Sequence, residues 1–308
     1  MRSWASTACG GDLLPLSGRR SGTARPGPNE RSARSLPAGG SPLLQRFIRF
    51  EVGARTLWGE ERDDAVRVWD GPPWRGGHAT AEELPHRGLR LLAPVAPGKI
   101  VCVGLNYVLH VAESASRSTI PDEPVLFLKP PSAVLDPEAE ILLPPVGRVD
   151  HEAEVALVLG ERLSGASEEA ARRAVFGVTA LNDVTARELQ KKDVQWTRAK
   201  GFDTFCPIGP RVVRGLDPDR LRVSSRVNGE ERQSGSTEDF LFATPTLLAF
   251  ISGVMTLEPG DVVSTGTPAG VGPLADGDRV EVEVEGVGVL ANRVRLRDAA
   301  GSAPAARV

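Results

Sequence analysis

Cysteine is scarce in this chain of 308 residues: there are three, Cys9, Cys102 and Cys206. Their wide spacing rules out a disulfide framework or a CxxC metal site and suits a reducing compartment, with Cys102 and Cys206 read as small buried hydrophobes. Long apolar runs are lacking as well, and no stretch approaches the roughly 18–20 residues that a membrane-crossing helix needs. The core sequence has no dense basic patch and the formal net charge is −3, which argues against a nucleic-acid binder. A phosphate-loop lysine is missing too. The glycine loop Gly266-Thr267-Pro268-Ala269-Gly270-Val271-Gly272 follows a strand but has no Lys-Ser/Thr pair and opens no helix, which argues against nucleotide binding.

Glycine and proline are plentiful, with 33 and 25 residues, so turns are many and strands are favoured over helices. Residues 1–44 are rich in Gly, Pro, Ser and Arg and show no periodicity, so they read as a disordered extension or a start assigned too far upstream. The competing reading of that segment is an organelle transit peptide, which would make an otherwise cytoplasmic protein mitochondrial. Residues 45–96 read as a small β-meander with a polar linker over 76–98, residues 97–296 as the main domain, and residues 297–308 as a tail.

The stretch richest in chemistry is 149–160, Val-Asp-His-Glu-Ala-Glu-Val-Ala-Leu-Val-Leu-Gly, which reads as one continuous strand. Side chains alternate across a strand, so Glu152 and Glu154 share a face that continues through Ala156 and Val158. Carboxylates on a face that turns apolar must be paired, protonated or bound to a cation, and the strand alone leaves all three open. The segment Arg279–Glu285 is an internal control. It also carries alternating glutamates, but its complete Val/Glu alternation marks a half-exposed strand with no site.

Other candidates are spread along the chain. His110 and Glu113 are three apart, the spacing of a helical turn on which a carboxylate can orient an imidazole base. Lys129, at the end of a short strand, faces either solvent or a site. Asp183 ends the buried strand 175–181 where a helix-like run begins at Val184, so it is either an N-cap or a site residue. Residues 195–205 pack aromatic, cationic and acidic side chains into one loop, which points to an anionic ligand. Ser167 reads as the N-cap of a helix running to Ala174.

Five motifs in order then carry a resemblance: Gly104-Leu105-Asn106-Tyr107 with His110 and Glu113; Asp150-His151-Glu152-Ala153-Glu154; Asn182-Asp183-Val184-Thr185-Ala186-Arg187; Gln195 to Asp203; and Gly266 to Gly272. Together they resemble the fumarylacetoacetate hydrolase family over about residues 97–296. The resemblance implies an α+β fold, mainly β: a mixed β-sandwich roll preceded by a small N-terminal β segment. It implies a metal held by Glu152, Glu154 and Asp183; three oxygen donors without thiolate make this Mg²⁺, with Mn²⁺ or Ca²⁺ as alternatives. It implies catalytic roles for His110, Glu113 and Lys200, and substrate contacts from Tyr107, Arg187, Gln190, Gly266 and Thr267. The implied partners are a small 2-oxo or 2,4-dioxo acid and a second copy of the chain.

The activity expected first is metal-dependent C–C hydrolysis of a 2,4-dioxo acid in aromatic-compound catabolism. The alternatives are 2-hydroxyhepta-2,4-diene-1,7-dioate isomerisation, oxaloacetate decarboxylation, or an inactive binding protein. Two departures stand out. Val108-Leu109 follows Asn106-Tyr107 where many family members have Arg-Asp, and Gly201 follows the site lysine where many have Ser.

Overall fold

The computed structural model describes residues 44–108 and 120–297. The chain divides into residues 1–41 and 42–308, and the described residues fall in the second unit. The N-terminal extension, most of the C-terminal tail, and His110 with Glu113 therefore lie outside the described residues.

In chain order the strands are β1 (Gln45–Val52), β2 (Arg55–Arg62), β3 (Ala65–Trp69), β4 (Ala79–Pro85), β5 (Arg90–Leu92), β6 (Ile100–Gly104), β7 (Val125–Lys129), β8 (Val134–Leu135), β9 (Glu140–Leu143), β10 (Val149–His151), β11 (Ala153–Leu159), β12 (Val175–Asn182), β13 (Thr185–Ala186), β14 (Cys206–Arg214), β15 (Arg222–Val227), β16 (Glu230–Ser236), β17 (Val262–Ser264), β18 (Gly272–Pro273), β19 (Arg279–Val284) and β20 (Gly288–Leu296). The helices are short: α1 (Glu168–Ala174), α2 (Arg187–Lys192), α3 (Thr197–Lys200) and α4 (Thr244–Val254). No described helix is long and apolar enough to cross a membrane.

Three sheets make the mainly-β, α+β fold. A 12-stranded sheet runs β4-β3-β2-β1-β14-β12-β11-β17-β6-β7, with β5 beside β1 and β8 beside β14. A five-stranded sheet runs β16-β15-β19-β20-β9, and a three-stranded sheet runs β13-β10-β18. The N-terminal strands join the main sheet through β1, whose Phe47 pairs with Val212 of β14.

Strand β11 lies near the middle of the large sheet and is buried along its whole length. Its odd-numbered residues, Val155, Leu157 and Leu159, pack with Leu247, Leu248 and Ile251 of α4. Its even-numbered residues, Ala156 and Val158, pack with Cys102, Cys206 and Ile208. Period-two alternation thus gives this strand two apolar faces, as burial between layers requires.

Helix α1 starts as its sequence indicates, with the Ser167 side chain accepting a hydrogen bond from Ala170 N–H at 3.3 Å. The control strand β19 buries Val280, Val282 and Val284 and leaves Glu281 and Glu283 partly exposed beside Arg279 and Arg226.

Two expectations need correction. The polar linker over 76–98 contains β4 and β5. Strand β4 is an edge strand whose Glu82 and Glu83 bind Arg55 and Arg67 on β2 and β3, so cross-strand ion pairs replace the apolar alternation that would have marked it. The stretch 149–160 is also not one strand: it breaks at Glu152, where β10 belongs to the three-stranded sheet and β11 to the large one. Asn182 makes the break, its Oδ1 accepting from Glu152 N–H at 3.0 Å while Asp183 N–H donates to Glu152 O at 2.9 Å.

Candidate metal centre and active site

The break at Glu152 and the end of β12 bring three carboxylates together. Oxygens of Glu152, Glu154 and Asp183 lie within 4.8 Å of one another, and all three residues are buried. Asp183 is not a helix N-cap: α2 begins at Arg187, and Asp183 sits beyond the last residue of β12. Its side chain is held by two lysines. Lys129 Nζ is 2.5 Å from Oδ1, and Lys200 Nζ is 2.6 Å from Oδ2 and 2.8 Å from Glu152 Oε2.

Each cation is placed by a local element. Lys129 ends β7 and also donates to Val184 O at 3.2 Å. Lys200 ends α3, a single turn that needs glycine next, because a Cβ at Gly201 would lie 2.6 Å from Thr197 O. Glycine stands here where many family members have serine. Arg187, the first residue of α2, donates from Nε to Asp150 Oδ2 at 2.7 Å and pairs with Glu152 Oε1 at 2.5 Å. Buried Asp150 holds a second arginine, Arg148, at 2.6 Å.

The electrostatics follow from burial. Removal from water, next to Asp183 and Glu152, pushes the Glu154 carboxyl up to about 8, against the hydrogen bond from Ser264. Burial disfavours the Lys200 ammonium, but Asp183 and Glu152 outweigh it and hold Lys200 above the ordinary lysine range. Arg187 is likewise raised, Glu152 and Asp150 overcoming its burial. Burial pulls the His151 imidazole below its usual value.

These residues fit a divalent cation. The donors are hard carboxylate oxygens without thiolate or imidazole, and Glu154, raised by burial and then by Asp183 and Glu152, is a carboxylate whose ionised form a bound cation would stabilise. The centre opens into a cavity of about 190 Å³ whose walls are apolar at Val103, Phe127, Trp196 and Val271 and cationic at Arg148, Arg187, Lys191 and Lys200.

Of the residues singled out in the sequence, Glu152, Glu154, Asp183, Lys200, Arg187, Gln190 and Thr267 line this cavity. Gln190 accepts from Arg187 at 2.9 Å. Tyr107 and Gly266 are not lining residues. Tyr107 is buried with its ring against Phe240, and Gly266 N–H donates to Glu154 Oε2 at 3.1 Å. Asn106 ties the loop in place through Thr265 O at 2.9 Å. The preceding Leu105 has φ 59°, a left-handed backbone rarely adopted by a branched side chain.

Sequence reasoning missed Arg148, Asp150 and Lys191 as cavity-lining residues. Their one signal was the row of charged positions flanking Glu152 and following Arg187. Lys129 is the buried partner of Asp183, not a solvent-facing residue.

Fold and site together define a mixed-β protein with a carboxylate centre able to hold a metal beside a small cavity lined by both apolar and charged side chains. The chain belongs to the fumarylacetoacetate hydrolase family: residues 99–295 match the family described as fumarylacetoacetate (FAA) hydrolase C-terminal. Residues 45–94 match an Rv2993c-like N-terminal family. Protein MJ1656 of Methanocaldococcus jannaschii is 50% identical over 202 residues, 65% of this chain and 84% of that protein. Oxaloacetate tautomerase YisK of Bacillus subtilis is 40% identical over 234 residues, 67% of this chain and 73% of that protein. Among solved structures, 5-carboxymethyl-2-hydroxymuconate delta-isomerase from Mycobacterium smegmatis superposes with a TM-score of 0.76 at 40% identity, covering 82% of this chain and all (100%) of that one. Maleylpyruvate hydrolase from Sphingobium sp. SYK-6, in complex with manganese(II) and pyruvate, superposes with a TM-score of 0.67 at 29% identity, covering 82% of this chain and 100% of that one. The chain is thus an enzyme of a family that includes isomerases, tautomerases and hydrolases.

Proposed function

We propose that this enzyme moves a proton at the carbon next to the carbonyl of a 2-oxo dicarboxylic acid, interconverting its keto and enol forms. The observation that carries the reading is the Glu152–Glu154–Asp183 cluster with Lys200 bonded to two of its members, in a pocket rimmed by further cations. The names of the tautomerase and isomerase relatives support the choice of reaction.

Glu152, Glu154 and Asp183 would hold the divalent cation, Mg²⁺ first and Mn²⁺ or Ca²⁺ as alternatives. When bound, the cation supplies Lewis-acid polarisation of the 2-oxo group. Lys200 offers a charged N–H donor to negative charge developing on oxygen. The apolar wall of Val103, Phe127, Trp196 and Val271 keeps water from the carbon that loses its proton. We carry the role of proton carrier to His110, with Glu113, on the motif behind the resemblance, and give the loop at Thr267 the carboxylate beside the 2-oxo group.

Charge selects the substrate class. The cavity wall carries four cations, Arg148, Arg187, Lys191 and Lys200, and four acids, Asp150, Glu152, Glu154 and Asp183, with Lys129 behind Asp183 as a fifth cation. A divalent cation would leave the site clearly positive, which a dianion offsets better than a monoanion. The two buried, unpaired cysteines among the described residues, Cys102 and Cys206, suit action in a reducing cytoplasm. We assign the working form as a homodimer.

The second reading is C–C hydrolysis of a 2,4-dioxo acid, favoured by the fit to maleylpyruvate hydrolase. One experiment separates the two. The Mg²⁺-loaded enzyme is given enol-oxaloacetate and, separately, acylpyruvates, with ketonisation followed by ultraviolet absorbance and pyruvate release by a coupled assay. Ketonisation without pyruvate release supports the tautomerase. Acylpyruvate cleavage as the faster reaction would overturn it.

A further inference from the structure

Beyond Ser264 the strand β17 stops pairing with β11, yet the neighbouring backbone of β11 still needs hydrogen-bond partners. Thr265 supplies two, its N–H and hydroxyl both donating to Val155 O at 3.1 and 2.8 Å. At Ala153, which lies between Glu152 and Glu154, a side chain takes over. Gln233 of β16 reaches across from the five-stranded sheet and is buried. Its Oε1 accepts from Ala153 N–H at 2.9 Å and from Ser225 Oγ at 3.1 Å. Its Nε2 donates to Thr267 Oγ1 at 2.7 Å and to Pro268 O at 2.8 Å.

The orientation of this amide is unambiguous, because Ala153 N–H can only donate and Pro268 O can only accept. The same oxygen lies 3.2 Å from His151 Nδ1, which assigns the ring proton to Nδ1. Thr267 closes the ring of bonds, its hydroxyl donating to Ala153 O at 2.8 Å. The single hydroxyl proton of Thr267 is therefore spent on the backbone, and the hydroxyl has none to give an anion. Close packing supports the same join: Gly270, at φ 95°, leaves no room for a Cβ, which would lie 2.1 Å from Arg232 O.

We propose that Gln233 is a positioning residue whose side-chain amide stands in for the missing peptide of a β-ladder, locking the carboxylate strand at Ala153 to the substrate loop at Thr267–Pro268. Thr267 is the second half of that lock, so the loop meets its ligand through backbone groups. The inference rests on reading this cavity as the active site. Gln233 carried no signal in the sequence, where it sits in a polar hairpin strand of a different sheet.

The test uses the full chain and two readouts. Gln233→Glu keeps the shape and the acceptor for Ala153 N–H but removes at least one of the two donors. Amide exchange across residues 265–272 should rise about tenfold or more, with exchange in β19 unchanged. Thr267→Val should do the same, and the double variant should go no further than either single, whereas Thr267→Ser should behave as the parent. In the Mn²⁺-loaded protein, calorimetric affinity for oxalate should fall about tenfold in Gln233→Glu and Thr267→Val. Unchanged exchange in 265–272, or simple additivity of the two substitutions, would overturn the lock. A parent protein that takes up no oxalate with Mn²⁺ would count against the functional reading, and exchange would still decide the lock. If Gln233→Glu fails to fold, Thr267→Val against Thr267→Ser carries the same decision.

Discussion

Lys129 Nζ lies 2.5 Å from Asp183 Oδ1, and neither side chain is more than 1% exposed. The carboxylate next to a prospective metal is thus anchored from behind by a charge that solvent does not reach. Removing Lys129 leaves buried Asp183 with Lys200 as its remaining cation, so the loss is a part of the about 3–5 kcal/mol that a fully unpaired buried charge costs. Lys129→Met should therefore lower the melting temperature of the metal-free protein sharply. Saturating Mn²⁺, by supplying charge at Asp183, should recover more of the loss than it adds to the parent. Calorimetric melting with and without Mn²⁺ checks both parts, and equal Mn²⁺ shifts in the two proteins would contradict them.

The same buried cluster predicts a pH dependence. In the folded chain Glu154 is raised to about 8 by burial and by Asp183 and Glu152, above its value in the unfolded chain. The native state therefore holds a proton that the unfolded state has lost, so stability falls as pH rises through that window. The contribution is fully present below the unfolded value near 4.5 and gone above about 8. A divalent cation opposes the loss by compensating the ionised form. The increase in melting temperature on adding Mg²⁺ or Mn²⁺ should thus be larger at about pH 8.5 than at about pH 6. A shift that shrinks with rising pH would be the opposite result.

Glu154→Gln isolates the ligand from the fold. Its backbone and hydroxyl donors, Gly266 N–H and Ser264 Oγ, can still give their hydrogen bonds to an amide oxygen. The variant should keep its circular dichroism spectrum, lose at least about a hundredfold in Mn²⁺ affinity, since a charged ligand is gone, and lose turnover. Normal turnover in this variant would remove Glu154 from the centre. Glu281→Gln on the control strand β19 should leave Mn²⁺ affinity unchanged, because that side chain faces Arg279 at the surface.

These two glutamates show what the sequence makes legible. Val280, Val282 and Val284 alternate with acids and are buried as alternation requires, and the apolar run after Glu154 marks that acid as interior before any fold is known. Asp183 and Lys200 are legible only through motif order, since contacts 17 and 48 residues long in sequence bring them to each other and to Glu152. The break at Glu152 was hidden because Asn182, thirty residues away, makes it with a side chain. Edge strand β4 was hidden for a related reason: ion pairs to neighbouring strands stabilise it, and they leave no periodic apolar trace. Period-two patterning reports on burial, and it is silent where side-chain hydrogen bonds or salt bridges do the joining.

Substrate discrimination should rest on the two arginines that share Asp150. Asp150 is 1% exposed and holds Arg148 and Arg187, whose side chains are 51% and 14% exposed. Their exposure separates their roles. Arg187 also pairs with Glu152, so removing it takes a cation from two buried acids at once, leaving Asp150 to half-exposed Arg148 and Glu152 to Lys200, and should destabilise the whole centre. Arg148 contacts Asp150 alone among these acids and reaches the cavity from its solvent side, where the far carboxylate of a dicarboxylate would lie. With Arg187 still on Asp150, Arg148→Met should fold normally. It should raise KM for a 2-oxo dicarboxylate about tenfold, the worth of one charge-assisted hydrogen bond, and leave kcat close to the parent value. A 2-oxo monocarboxylate has no far carboxylate to lose, so its KM should hardly move. Steady-state kinetics on a matched pair of such acids checks this, and an equal rise in KM for both would place Arg148 outside the recognition of the second carboxylate.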